Sequence, residues 1–256
     1  MTTAGIKSHA LKKMVANVLF FNKFVANASS IQFLAENEYL ESKDNFKFKD
    51  HFILSNGVEI PKKHYVVKKR KEFKIVFIGR YNIYHKGLDI LLESIRRHVD
   101  WFRNNRVVVE LYGSDSDNGF AFLTGYVAKN KLNDIVHIKG PVFGEDKERA
   151  LLDADIFIHT SRLEGQPTSV IEAISYGIPV IATPGTNMAD VVERNNLGFV
   201  ADFDSEGVYE CIKKAFLNKD SFLQTSKNAV LYTKDNYGWD EIIKKTVTVY
   251  ENIKNG

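Results

Sequence analysis

Between residues 73 and 201 the chain alternates short apolar, β-branched runs with stretches of helical periodicity, and this alternation leaves few folds open. The runs lie at 73–78, 106–112, 134–138, 155–159 and 178–183, with a last short one at 198–201. Most are apolar at nearly every position, as expected of strands buried on both faces of a sheet. Between them, Leu88, Leu91, Leu92, Ile95, Val99 and Phe102 recur at helical spacing and predict one long helix. Shorter helices are predicted near 121–130, 147–154, 168–176 and 187–194. Strand and helix in this order give a parallel sheet with helices on both faces, a Rossmann-like α/β fold. Three helices then finish the chain. The first carries Val208, Cys211, Ile212 and Ala215, the second lies near 221–234, and the third follows Gly238 with Trp239, Ile243, Val247 and Tyr250 on one face.

The first ~60 residues do not fit the alternation. Leu11, Met14, Val15, Val18 and Leu19 form an amphipathic helical stripe, followed by short strand-like runs at 31–35 and 52–54 and an Asn56-Gly57 turn signal. So few elements cannot build an independent core, which normally takes a larger share of buried surface. The segment reads as part of a larger unit.

Composition excludes several classes. Charged residues are nearly balanced, 35 Lys and Arg against 32 Asp and Glu, so charge does not call for a nucleic-acid partner. One cysteine, Cys211, forbids an intramolecular disulfide and a cysteine zinc cluster. It falls on an apolar stripe, which predicts a buried, unreactive thiol. No apolar run reaches the ~18 residues of a membrane span. The basic residues Lys62, Lys63, Lys68, Lys69, Arg70, Lys71 and Lys74 crowd one stretch. Such a run reads either as a solvated flank or as a patch attracted to anionic headgroups.

Two loops stand out as carriers of chemistry. The first follows the strand at 73–78 and reads Gly79-Arg80-Tyr81-Asn82-Ile83-Tyr84-His85-Lys86-Gly87. It places two cations at the carboxyl edge of a parallel sheet, where open α/β sheets bind ligands. Arg offers a fork for phosphate oxygens and Lys a point charge. The second follows the strand at 155–159 and runs from Ser161 through Glu164, Gly165, Gln166 and Pro167 into a helix with Glu172 one turn inside. The amides of Thr168, Ser169 and Val170 would lie at that helix N-terminus and attract an anion. Carboxylates at Glu164 and Glu172 are acceptors for sugar or ribose hydroxyls. Asp115-Ser116-Asp117 is a D-x-D after a strand, but beside Asn118-Gly119 a polar turn explains it. No Walker loop and no H-E-x-x-H are present.

These residues carry a resemblance. Glu164-x7-Glu172, continuing through Ala173 to Gly177-x-Pro179-Val180-Ile181, is similar to the E-x7-E signature of retaining glycosyltransferases. Gly79-Arg80-x5-Lys86-Gly87-x-Asp89 resembles the same family's diphosphate-binding motif. Ser55-Asn56-Gly57-Val58 resembles its link into the second domain, and Tyr237-Gly238-Trp239 with Tyr250 its C-terminal helix. The family is glycosyltransferase family 4, of GT-B fold, and the resemblance covers roughly residues 52–254. Leu34-Ala35-Glu36-Asn37-Glu38 resembles the last strand of the family's first domain.

The resemblance implies three parts. Residues 1–56 would be the tail of a truncated, acceptor-side N-terminal domain with its linker. Residues 57–238 would be the donor-binding Rossmann-like domain, and 239–256 a helix that crosses back. Arg80 and Lys86 would hold the donor diphosphate, beside Gly79, and the amides of Thr168, Ser169 and Val170 would meet the phosphates. Glu172 would bind ribose, Glu164 the transferred sugar, and Gly165 and Gln166 would line the sugar pocket. Val142 would sit against the base, and Gly113 would give room beside the nucleotide. No metal and no resident cofactor are implied, because cations and a helix terminus meet the diphosphate charge.

The implied donor is a UDP-sugar, with GDP- and ADP-sugars as alternatives, and the implied acceptor is a glycan or a lipid-linked glycan. A cytoplasmic enzyme results, peripheral on the inner face of the membrane where its acceptor is a lipid. The chain lacks matches to most of the first domain, including a catalytic His in a matching context, so a partner chain carrying that domain is an alternative and little activity is expected alone. A GT-B nucleotide-sugar epimerase and a non-catalytic donor-binding subunit remain the competing readings.

Overall fold

The computed structural model describes residues 21–255, so the predicted stripe from Leu11 to Leu19 lies outside the described residues. The chain divides into two compact units, one of residues 1–57 with 236–256 and one of residues 58–235.

The larger unit is built on a six-stranded, wholly parallel sheet. Its strands are β3 (Phe73–Ile78), β4 (Val107–Tyr112), β5 (Val136–Lys139), β6 (Ile156–His159), β7 (Val180–Ala182) and β8 (Gly198–Val200). Their spatial order is β5-β4-β3-β6-β7-β8, and every pairing is parallel. The central strands are apolar throughout because both faces are covered. Ile75, Val76, Phe77, Ile156, Phe157, Ile158, Val180 and Ile181 are fully buried. The expected α/β parallel sheet flanked by helices is therefore the observed fold.

The strand order reverses direction between β3 and β6. Chain order runs outward to β5 on one side of this pair and outward to β8 on the other. Loops leaving the two strands consequently splay apart, and the crevice between them is where open α/β sheets bind ligands. The two loops singled out in the sequence are the two that leave β3 and β6.

The long helix expected from Leu88 to Phe102 is two helices, Leu88–Arg97 and Val99–Asn104. His98 leaves helical geometry at the joint, with φ −117° and ψ 27°. Its ring stacks on Tyr209 at 3.5 Å and its Nε2 meets Glu206 at 3.0 Å. Phe102 is buried all the same, so the apolar stripe survives the break. Tyr209 and Glu206 lie on the helix Ser205–Leu217, which packs against Leu88–Arg97 and also carries the buried Cys211.

Part of the basic run is neutralised within this unit. Lys63 pairs with Glu148 at 2.7 Å, Arg70 with Asp155 at 2.7 Å and Asp153 at 3.0 Å, and Lys74 with Glu110 at 3.2 Å. Arg70 and Lys74 act as ties between the β3 and β6 entrances, a role the sequence alone did not indicate.

The smaller unit pairs β1 (Ile31–Phe33) in parallel with β2 (His51–Ile53). The strand expected to extend to Ala35, and the family strand placed at Leu34–Glu38, end at Phe33. A helix begins at Glu36 instead, and its Glu38 carboxylate accepts from the Leu34 amide at 2.8 Å. Phe33, Tyr39, Phe48 and His51 form an aromatic cluster, with Tyr39 stacked on His51 at 3.8 Å. The last helix, Trp239–Asn255, starts where predicted. A Cβ on Gly57 would stand 2.5 Å from the Trp239 ring, so that turn must be glycine. Trp239, Ile243, Val247 and Tyr250 remain exposed. No helix among the described residues is long and apolar enough to cross a membrane.

Candidate functional site

The exit of β3 is shaped by Tyr81, which is fully buried. Its hydroxyl shares its hydrogen between the carbonyls of Leu111, at 2.6 Å, and Lys139, tying the ends of β3, β4 and β5 together. The chain then makes a one-turn helix, Ile83–Lys86, capped by Asn82, whose Oδ1 accepts from the His85 amide at 2.9 Å. Gly87 ends it at φ 61°, a left-handed conformation that glycine adopts without strain. A Cβ at Gly87 would lie 1.9 Å from the Thr160 carbonyl. The Thr160 hydroxyl in turn reaches the carbonyls of Lys86 at 3.1 Å and Gly87 at 3.0 Å. The cation loop is thus stitched to the exit of β6, helped by a two-pronged ion pair from Arg162 to Asp89 at 2.6 and 2.7 Å.

The second loop leads from β6 into the helix Thr168–Ser175, with Pro167 as its N-cap residue. The amides of Thr168 and Ser169 have no acceptor within the helix, as at any helix start. The third donor expected there, the amide of Val170, is already given to the Pro167 carbonyl at 3.0 Å. The Thr168 and Ser169 amides are the ones left open at this helix start.

The loops converge. One cleft of about 430 Å³ is lined by Gly79, Arg80, Lys86, Val142, Glu164, Gln166, Thr168, Ser169 and Glu172, together with Ile78, Phe143, Lys147 and Pro167. That volume suits a small-molecule ligand. Gly113, Gly165 and Val170 are not among the lining residues. For Gly113 the reason is backbone crowding, since a Cβ there would stand 2.0 Å from the Gly79 carbonyl. It lets β3 and β4 end side by side. A larger hollow of about 530 Å³ in the smaller unit, lined by Lys49, His51 and Asn252 among others, offers no helix start and no converging cations.

Within the cleft Glu164 is the most constrained group. Its Oε1 receives Lys86 Nζ and, at 3.0 Å, the Ser161 hydroxyl, and it lies 3.4 Å from His159 Nε2. Burial pushes this carboxyl up, but His159 and Lys86 outweigh burial and hold it at about 2. Burial also pushes the His159 imidazole down, toward its neutral form. Asn187 donates to the Glu164 carbonyl at 2.6 Å and fixes the backbone.

Glu172 is held differently. Its Oε1 accepts from Lys147 at 2.6 Å, with both side chains about 30% exposed or less. Lys147 was missed in the sequence. It lies in the helix Gly144–Asp153, which follows the loop of Val142. A cation one turn into that helix, opening at the same sheet edge, was the available signal. Phe143, on the rim, is 75% exposed and was missed as well.

The D-x-D segment has structural employment. Asp115 accepts from the Phe120 amide at 2.9 Å and Asp117 from Asn82 at 2.7 Å. Among the described residues no group of three or more His, Cys, Asp or Glu could hold a metal ion.

Residues 72–218 match the family described as glycosyl transferases group 1. The chain is 26% identical over 220 residues to an uncharacterized glycosyltransferase of Methanocaldococcus jannaschii, covering 81% of this chain and 54% of that protein. It is 24% identical over 187 residues to a human phosphatidylinositol N-acetylglucosaminyltransferase subunit, covering 73% and 37% respectively. Its fold resembles that of Staphylococcus aureus TarM, solved with fondaparinux, α-GlcNAc-glycerol and UDP. The TM-score is 0.75 at 22% identity, with 97% of this chain and 47% of that chain covered. The chain therefore spans about half, or less, of the length of these proteins.

Proposed function

The chain belongs to the group 1 glycosyl transferases, with a GT-B-type fold, and from that premise we propose that it binds a nucleoside-diphosphate sugar in the β3–β6 cleft and takes part in sugar transfer to a glycan or lipid-linked acceptor. The observation that carries this reading is the convergence of Arg80, Lys86, Glu164 and Glu172 on one cleft at the strand-order reversal. Arg80, Lys86 and the amides of Thr168 and Ser169 meet the diphosphate. As the glycosidic bond breaks, charge grows on the leaving diphosphate, and these donors stabilise that state more than the bound donor. Glu172 takes the ribose hydroxyls, with Lys147 beside it. Glu164 holds a hydroxyl of the transferred sugar, and Gln166 lines the same pocket.

Retention of anomeric configuration belongs to the same reading, with the acceptor attacking from the side the diphosphate leaves. UDP is the expected nucleotide, because TarM was solved with UDP and α-GlcNAc-glycerol and the human relative belongs to an N-acetylglucosaminyltransferase. UDP-GlcNAc is therefore the first donor to test. The human relative is also described as a subunit, which favours a partner chain for full activity. The cations lining the cleft make metal-independent binding the expectation.

Calorimetric titration with UDP, GDP and ADP, with and without EDTA, tests donor binding. NMR analysis of products from UDP-GlcNAc and an acceptor separates a retaining transferase from an epimerase, which would convert the donor with no acceptor present. No binding of any nucleotide at millimolar concentration would refute the reading.

A further inference from the structure

The unexplained group in the site is His159. It ends β6, is fully buried, and neither ring nitrogen has a hydrogen-bond partner among the described residues. A neutral imidazole still carries one N–H, and a buried donor without an acceptor is rare. The ring is clamped by Phe77, stacked at 5.5 Å and 14°, and by Phe157 at 6.2 Å and 24°. It cannot turn away without disrupting the core. In this clamped pose Nε2 lies 3.4 Å from Oε1 of Glu164, near enough to bond but without the alignment an N–H···O bond requires.

Lys86, the Ser161 hydroxyl and His159 Nε2 all approach the same oxygen, Oε1, while no hydrogen bond from the described residues reaches Oε2. We propose that His159 is a positioning residue: as the neutral Nε2–H tautomer it joins Lys86 and Ser161 on Oε1 of Glu164 and so leaves Oε2 turned into the cleft to accept a hydroxyl of the transferred sugar. The proposal deepens the donor-binding reading and rests on it. A neutral donor suits this task. A second cation would neutralise the carboxylate further and weaken its hold on the sugar, whereas an N–H on a rigid ring fixes direction alone. Burial, which disfavours the imidazolium, keeps the ring in that form.

The test compares His159→Phe, which keeps an aromatic ring between Phe77 and Phe157 but has no donor, with His159→Gln, which restores an N–H. Calorimetry with UDP and with UDP-GlcNAc is the readout. In His159→Phe the Kd for UDP should stay within about twofold and that for UDP-GlcNAc rise about tenfold, the loss of one hydrogen bond to a charged acceptor. His159→Gln should recover part of that loss. Equal weakening of UDP and UDP-GlcNAc, or none, overturns the proposal. ¹⁵N NMR of the wild-type histidine ring gives a second decision, independent of ligand and of whether the variants fold. Protonation at Nε2, with a shift of that nitrogen in Glu164→Gln, supports it, and protonation at Nδ1 overturns it. If the wild type binds no UDP, the donor reading fails, and the ring spectrum still decides the His159–Glu164 contact.

Discussion

Replacing Glu172 by alanine probes the nucleotide end of the cleft. The carboxylate is expected to accept from the ribose hydroxyls, and a hydrogen bond to a charged acceptor contributes about 1.5–3 kcal/mol. Glu172 is not idle in the free protein, however, because Lys147 already donates to its Oε1 at 2.6 Å. That pair is partly exposed, 28% and 30%, and such pairs stabilise by only about 0–1 kcal/mol. Ribose competes with it, so the net loss on binding is about 0.5–3 kcal/mol, or about 2- to 150-fold in Kd. The assay is calorimetry with UDP and with 2′,3′-dideoxy-UDP on wild type and variant. Wild type should prefer UDP, and Glu172→Ala should bind the two nucleotides almost alike. An equal loss for both nucleotides would refute the ribose assignment, because the substitution would then act through the diphosphate or through the fold.

Other consequences can be checked on the same protein. The Glu164 carboxyl is held at about 2 against an ordinary 4.5, so its contribution to stability is complete above about pH 4.5 and is lost as the pH falls toward 2. Denaturant midpoints from pH 6 to pH 3 should fall more steeply for wild type than for Glu164→Gln, and parallel curves would contradict the assignment. Gly87→Ala places an alanine at φ 61° against the Thr160 carbonyl. It should destabilise by at least ~1 kcal/mol and weaken UDP binding. Gly125→Ala, in the helix Gly119–Lys129 with open space around the added Cβ, should stabilise by ~0.5–1 kcal/mol, measured with Gly87→Ala by thermal melting. Burial pushes the Cys211 thiol up to about 12, so it should react with a disulfide reagent at pH 8 only after unfolding. Fast labelling of the native protein would show the helix Ser205–Leu217 to be loosely packed.

Sequence patterning determined what depends on neighbours along the chain. The apolar runs of β3, β6 and β7 had to be interior strands, since only burial on both faces removes the need for polar alternation. Glu164 and Glu172 stood out because one precedes a helix and the other lies a turn inside it. The tertiary structure decided what depends on neighbours in space. It broke the Leu88–Phe102 helix at His98, whose ring stacks on Tyr209 of a remote helix. It assigned Gly113 to a backbone contact with Gly79. It also brought Lys147 to Glu172 across 25 residues of sequence. Above all it placed the orphan nitrogens of His159 behind the Glu164 carboxylate, for a strand-end histidine in a sequence shows neither its burial nor what its ring faces. Periodicity records which face of an element is dry, but hydrogen-bond direction and charge pairing are set only when separate elements meet.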